Sequence, residues 1–446
     1  MLSRRNVLGA SAAAVAGAAL DASLPAAAAA AALDAPPPTT EAVAPPQTRD
    51  LPPSIAALAP PSEQPRPITT EERRGRVEKA RRLMVEQGVD ALVMAGGTSM
   101  VYFANVQWGL SERMMALVVP ARADAFVVCP AFEEERAREQ LGRGPFGGET
   151  QVYTWEEHED PYALVARGLR DRGIAAGKLG VEERTYFVYA NGIARSAPTI
   201  ETVDAIPITA GCRGVKDEHE LDLMRLASKV TLRAYKAAYE AMQEGMTQAE
   251  FAGLVALAHQ RQGYAGGAGV QVGEYSALPH GSATPQVIRE GTILLIDGGC
   301  AVEGYRSDLS RTFVLGEPTD KMRQVFGIEL RAQTAALAAA RPGVECQAVD
   351  AAARRVIEDA GYGPGYTYFT HRVGHGMGMD GHEWPYLVRG NTLPLAPGMT
   401  FSDEPGIYIR GEFGVRLEDD MVITENGAEL FTPQSPSLDD PFAGVE

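Results

Sequence analysis

Hydrophobic periodicity divides this chain before any single residue is considered. Thr69-x-x-Glu72 reads as a capping box, and Val77, Ala80, Leu83 and Met84 then recur at helical spacing up to a Gln87-Gly88 stop. Short apolar runs follow at Ala91–Met94, Met115–Pro120 and Ala125–Cys129, with a helical pattern around Pro161–Arg172. This alternation predicts a compact α/β domain over 69–214. The Gly96-Gly97 pair lacks the spacing of a phosphate loop and reads as a turn. From Val215 the character changes: Leu221, Met224, Ala227 and Val230 mark a long amphipathic helix, and a second capping box, Thr247-x-x-Glu250, opens another over Phe251–Arg261. Beyond Gly263 the pattern becomes strands that carry acidic residues in apolar surroundings, which places a second domain over 215–446.

Two segments without a core precede these domains. Ser3-Arg4-Arg5-Asn6-Val7-Leu8 opens an uncharged, Ala- and Gly-rich stretch, so that residues 1–33 resemble a twin-arginine export signal. Its apolar run is too short to cross a bilayer, which needs about 20 residues, so a cleaved signal is expected rather than an anchor. The mature protein would be periplasmic or otherwise exported, with no membrane attachment. Residues 34–68 are dense in proline and are expected to form an extended linker.

Composition narrows the chemistry. The 446 residues are 45% apolar, which excludes disorder throughout, and the net charge of −17 argues against nucleic acid or an anionic membrane as partner. Four cysteines stand far apart without a C-x-x-C pair, so any bound metal must use oxygen and imidazole.

The acidic strands supply such ligands. Asp297 ends the aliphatic run Thr292-Ile-Leu-Leu-Ile, where an unpaired charge would cost several kcal/mol, so it requires a proton, hydrogen bonds or a cation. Asp308 follows on what reads as the adjoining strand of a hairpin-like pair. His371, His375 and His382 fall within twelve positions among glycines, which let backbone and ligand approach closely. Pro405 restricts Glu404 to an extended conformation, and Arg416 and Glu418 share one face of a strand. An Arg–Glu ion pair would explain that last dyad equally well. Asp297, Asp308, Glu404 and Glu418 together carry four negative charges, which two divalent cations would balance, and His375 adds a nitrogen ligand. Paired ions of this kind ready water for attack, which is hydrolytic chemistry.

In order, Ser276-Ala-Leu-Pro-His280-Gly, Ile296-Asp297-Gly-Gly, Gly304-Tyr-Arg-Ser-Asp308-Leu-Ser-Arg-Thr312, Gly374-His375-Gly-Met-Gly, Glu404-Pro-Gly-Ile-Tyr408 and Val415-Arg-Leu-Glu418-Asp resemble the signatures of the pita-bread metallopeptidases, most closely the Xaa-Pro-cleaving branch of aminopeptidase P and prolidase. The resemblance covers about 70–435. It implies an α/β domain like the creatinase/prolidase N-terminal domain followed by an α+β pita-bread catalytic domain. It further implies that Asp297 chelates one metal, that Asp308 and Glu418 bridge both, and that His375 and Glu404 complete the other. Glu404 would also carry a proton to the leaving prolyl nitrogen. His280, His371 and His382 would line the pocket, and Arg416 would lie near the substrate's carboxyl side. Manganese is the expected metal, with zinc and cobalt as alternatives. Proline-containing dipeptides or short peptides are the expected substrates, and a homodimer the expected assembly.

Asp-Leu-Ser-Arg at 308–311 departs from the commoner Asp-x-Thr-Arg, and two methionines follow His375 where branched aliphatics are frequent. Neither change removes a metal ligand. A non-catalytic peptide-binding paralogue would be expected to have lost ligands. A lyase on the same scaffold, acting on a sulfonium propionate, departs at the Asp, His and Glu motifs. An unrelated cation-binding protein would have to produce the ordered motifs by coincidence. The sequence leaves dipeptidase and aminopeptidase both open.

Overall fold

The computed structural model describes residues 51–62 and 64–445. The leader, and the linker as far as residue 50, lie outside the described residues. Six strands build the N-terminal sheet: β1 (Ala91–Met94), β2 (Ala116–Pro120), β3 (Phe126–Pro130), β4 (Gln151–Trp155), β5 (Gly177–Val181) and β6 (Ile200–Asp204), in the spatial order β4-β3-β2-β1-β5-β6. The apolar runs read from the sequence become β1 to β3, which pair antiparallel, while β4, β5 and β6 join in parallel. These three central strands are buried along their whole length, which is why they read as continuous apolar runs rather than alternating ones.

Both predicted capping boxes form. The Thr69 hydroxyl accepts from the Glu72 amide at 3.2 Å while the Glu72 carboxylate accepts from the Thr69 amide at 2.6 Å, and the helix Thr70–Gln87 ends on Gly88 in the left-handed region. Thr247 and Glu250 do the same ahead of the helix Gln248–Arg261. A third box, Asp217 with Glu220, starts the 23-residue helix Glu218–Glu240; the sequence reading gave the helix without its cap. Gly96 and Gly97 make a positive-φ bend ahead of the helix Thr98–Ala104 rather than a phosphate loop, and a Cβ on Gly96 would stand 2.8 Å from the Trp108 carbonyl.

The linker expectation needs correction. Pro53–Ala56 is a helical turn, with proline in its first turn where the missing N–H costs nothing. Ile55 is fully buried and Leu58 nearly so, both packed on Ala234, Ala237, Ala241 and Ala258 of the long helices. The Ser54 hydroxyl donates to the Ala237 carbonyl at 2.7 Å and Arg261 donates to the carbonyls of Ala56 and Leu58 at 3.2 Å. Proline density signalled an extended chain, but two aliphatic residues opposite a stripe of alanines suffice to bind it down.

In the second domain, β7 (Gly266–Val272), β8 (Ile293–Val302) and β10 (Leu309–Val314) form an antiparallel sheet in the order β10-β8-β7, with the two-residue β9 (Tyr305–Arg306) folded back on β8. A second antiparallel sheet runs β12-β11-β13-β16-β17, from β11 (Gly374–Gly376), β12 (Glu383–Leu387), β13 (Thr400–Asp403), β16 (Asp419–Ile423) and β17 (Ala428–Leu430). A hairpin of β14 (Gly406–Ile409) and β15 (Phe413–Arg416) adjoins them. The run from Gly414 to Thr424, which reads as one strand, serves two sheets. It breaks at Leu417 and Glu418, and Glu418 bridges to Ser310 of the first sheet. No helix among the described residues is long and apolar enough to cross a membrane.

Candidate metal centre

The break at Glu418 sets the geometry of the site. The Glu418 amide donates to the Ser310 carbonyl at 3.2 Å and the Ser310 hydroxyl donates to the Glu418 carboxylate at 2.5 Å, which joins the two sheets at this point. In the β8/β10 register Ser310 faces Asp297, and Asp308 precedes Ser310 by two residues, so all three side chains are brought to the same seam. From the second sheet, β11 carries His375, Glu404 directly follows β13 and Glu418 directly precedes β16. Gly298 and Gly299 make this closeness possible: a Cβ on Gly298 would stand 2.4 Å from the Gly267 carbonyl, and one on Gly299 2.0 Å from that of Ser307.

Three sets of ligand-type atoms lie mutually within 4.8 Å: Asp308, His375 and His382; His375, Glu404 and Glu418; and Asp297, Asp308 and Glu418. Asp308, Glu418 and His375 belong to two sets each; for the two carboxylates this is the pattern expected of groups shared between ions. The Nδ1 of His375 donates to the Gly376 carbonyl at 3.0 Å, which leaves Nε2 as a lone pair 3.2 Å from Glu404 and 3.8 Å from Asp308. Burial pushes the Asp308 and Glu418 carboxyls well above the usual range, and their acidic neighbours push them further. A buried group of carboxylates that repel one another and face a free imidazole nitrogen fits divalent cations, since oxygen ligands with one nitrogen suit such ions and the added charge removes the repulsion.

Arg416 orders this group. Its guanidinium, 2% exposed, donates to Asp297 at 2.7 Å, to the Ser310 hydroxyl at 2.9 Å, to Tyr408 Oη at 3.0 Å and to the Pro279 carbonyl at 3.1 Å. The alternative pairing with Glu418 is not formed: the Arg416 ion pair is with Asp297. The guanidinium expected near the substrate's carboxyl side is thus engaged in fixing a ligand. Ser310, the departure from Asp-x-Thr-Arg, supplies the hydroxyl that links Arg416 to Glu418, while Thr312 donates to the Arg416 carbonyl at 2.8 Å.

Sequence reasoning did not single out Ser310, Tyr408 or Asp420 as site residues. Tyr408 donates to His371 Nε2 at 2.7 Å, and His371 Nδ1 donates to the Arg372 carbonyl at 2.8 Å, which defines a neutral ring that burial holds down to about 4. The Asp420 carboxylate accepts from the Asp308 amide at 3.2 Å and the Ser228 hydroxyl at 2.9 Å, fixing the link between β9 and β10 that presents Asp308. Its signal was the second acid after Glu418. His382 stacks on His375 with ring centroids 3.8 Å apart; the residue as a whole is exposed, but desolvation of the ring packed on His375, with the Arg372 guanidinium beside it, lowers its pKa to about 4. His280 stands apart from all three ligand sets and is exposed, in the loop whose Pro279 carbonyl Arg416 grips.

Residues 222–425 match metallopeptidase family M24, and residues 76–215 match the creatinase/prolidase N-terminal domain. The chain belongs to metallopeptidase family M24. It is 34% identical to the Xaa-Pro dipeptidase of Lactobacillus delbrueckii subsp. lactis, over 81% of this chain and 98% of that one. The crystal structure of dipeptidase PepE from Mycobacterium ulcerans superimposes with a TM-score of 0.78 at 34% identity, covering 84% of this chain and 99% of the other. That of X-Pro aminopeptidase from Thermotoga maritima gives 0.69 at 28% identity, covering 81% and 98%. The architecture is therefore a creatinase-type N-terminal domain followed by the pita-bread catalytic domain, as the motifs implied.

Proposed function

We propose that this protein hydrolyses the peptide bond before proline in Xaa-Pro dipeptides, with two divalent ions held by Asp297, Asp308, His375, Glu404 and Glu418. The carrying observation is that these five side chains, from separate segments of the chain, meet in overlapping sets of ligand atoms. Bound there, the ions would supply Lewis acidity toward the scissile carbonyl and lower the pKa of water. Manganese suits the oxygen-rich set best, with zinc and cobalt as alternatives.

The chain's own groups account for the rest. Departing prolyl nitrogen carries no hydrogen and must be protonated as the bond breaks, which requires a proton carrier within hydrogen-bond reach. Glu404, beside His375 and bonded at 3.2 Å by the Ser402 hydroxyl, is that group. His382, neutral at physiological pH, can donate a ring N–H to the developing oxyanion without adding a competing cation. His371 bonds Tyr408, which in turn accepts from Arg416, so it supports the Arg416 cluster.

Assaying Ala-Pro, Ala-Pro-Ala and Ala-Ala with manganese, zinc and cobalt tests the reading. Ala-Pro is expected to be cleaved best, with Ala-Ala at least about tenfold slower, since specific pocket contacts discriminate by about 1–3 kcal/mol. Equal rates on Ala-Pro-Ala would move the assignment to an aminopeptidase, and cleavage of Ala-Ala alone would refute it. A homodimer, proposed from the resemblance, is checked by light scattering. Export, proposed from Arg4-Arg5, is checked by fractionating cells that express the full chain with both arginines replaced by lysine; unchanged export would defeat it.

A further inference from the structure

His382 is a side chain with little of its own to hold it. It is exposed, stacks on His375, and its ring nitrogen Nδ1 accepts one bond at 3.2 Å from Arg372, itself half-exposed. Its placement must come from the backbone of the loop 377–383. That loop is gripped by a network of buried charges that crosses from the N-terminal domain.

Glu383, adjacent to His382 and 3% exposed, turns inward. Its Oε1 accepts from the amides of Met379 and Asp380, each at 3.1 Å, and its Oε2 accepts from Lys216 Nζ at 3.2 Å. Asp380, 7% exposed, accepts from the Thr98 hydroxyl at 2.5 Å and pairs with Arg213 at 3.3 Å. Arg213, 4% exposed, also lies 3.8 Å from Glu383 and donates to the Ser99 hydroxyl at 3.2 Å. Thr98, Ser99 and Arg213 belong to the N-terminal domain, and Lys216 to the connection between domains. Space around the Glu383–Lys216 pair is full: a Cβ on Gly378 would stand 2.9 Å from both the Glu383 Oε2 and the Lys216 Cε. Buried ion pairs of this kind are costly to desolvate and add little net stability, so their value lies in the single geometry they enforce.

We propose that this interdomain network is a positioning device, by which Arg213, Lys216 and Thr98 act through Asp380 and Glu383 to hold His382 against His375. The inference rests on the Xaa-Pro peptidase reading, and it gives the N-terminal domain a part in assembling the site. A misplacement of about 1 Å can cost on the order of a hundredfold in rate. Glu383→Gln is therefore expected to lower kcat for Ala-Pro by roughly 10- to 100-fold, with KM and bound metal unchanged.

The decisive measurement places Glu383→Gln and Thr98→Val each in the native and the His382→Ala backgrounds. If the network acts through His382, each loss shrinks to within about threefold once His382 is gone, because the two changes then remove the same contribution. Losses of equal size in both backgrounds, or loss of metal from Glu383→Gln, would overturn the proposal. Thr98→Val leaves every buried charge in place and decides the matter if Glu383→Gln does not fold. Hydrogen exchange at the Met379 and Asp380 amides needs no turnover: faster exchange in Glu383→Gln supports the device and unchanged exchange sinks it. Failure of the peptidase reading would appear separately, as native protein that does not cleave Ala-Pro.

Discussion

Asp308→Ala loses both bound divalent ions and lowers kcat/KM for Ala-Pro by at least about a thousandfold, a loss of roughly 4 kcal/mol of transition-state stabilisation. Asp308 belongs to the ligand sets around both His375 and Asp297, so its removal weakens both halves of the centre at once. His375→Ala should be less severe in metal content: His375 also belongs to two of the sets, but its loss leaves all four carboxylates and their negative charge in place to hold the ions. Metal analysis beside steady-state kinetics on the two variants checks this order. Full metal retention in Asp308→Ala would show that the carboxylate seam does not bind the ions. Asp308→Ala also removes one of a group of mutually repelling acids, and circular dichroism on both variants separates metal loss from unfolding.

Stripping the metals from the native protein abolishes hydrolysis and lowers the melting temperature, and returning manganese restores both. An ion at a hundred times its Kd stabilises by about 2.7 kcal/mol, which is about 5–10 °C for a domain of this size. The same experiment carries a proton signature. In the metal-free protein Asp308 and Glu418 have raised pKa values from burial and from neighbouring carboxylates, so they hold protons into the pH range where free carboxyls have lost theirs. Metal binding must expel those protons. Calorimetric titration in buffers of different ionisation enthalpy should therefore show proton release, and affinity that rises with pH until both groups ionise unaided. Binding without proton release would contradict the raised values, and a melting temperature indifferent to metal would contradict the site.

Much of this centre was legible because its ligands stand in locally abnormal contexts. An aspartate closing a run of Ile and Leu and a glutamate before proline in an apolar strand each violate the expectation that buried charge is avoided, and three histidines within twelve positions among glycines are an unusual local density of imidazole. The glycines after Asp297 also announced themselves, and the structure shows why: neighbouring carbonyls occupy the place of a side chain. The supporting residues carried no such mark. Ser310 and Tyr408 are ordinary strand residues by type, and their roles rest on hydrogen bonds to partners about a hundred positions away in the case of Ser310.

The chain by itself determined the local elements, because helix caps, glycine stops and apolar runs act over a few residues and need no distant partner. Thr69 with Glu72 and Thr247 with Glu250 specify their helix starts wherever those segments sit. Tertiary structure decided what those short-range rules leave open. It split the run from Gly414 to Thr424 between two sheets, turned Arg416 from Glu418 to Asp297, drew Ile55 of a proline-rich segment into a pocket of alanines, and set the N-terminal domain's Arg213 on the loop that carries His382. Each of these depends on which distant groups compete for one buried charge or one patch of apolar surface, and that competition is resolved only when the whole chain has packed.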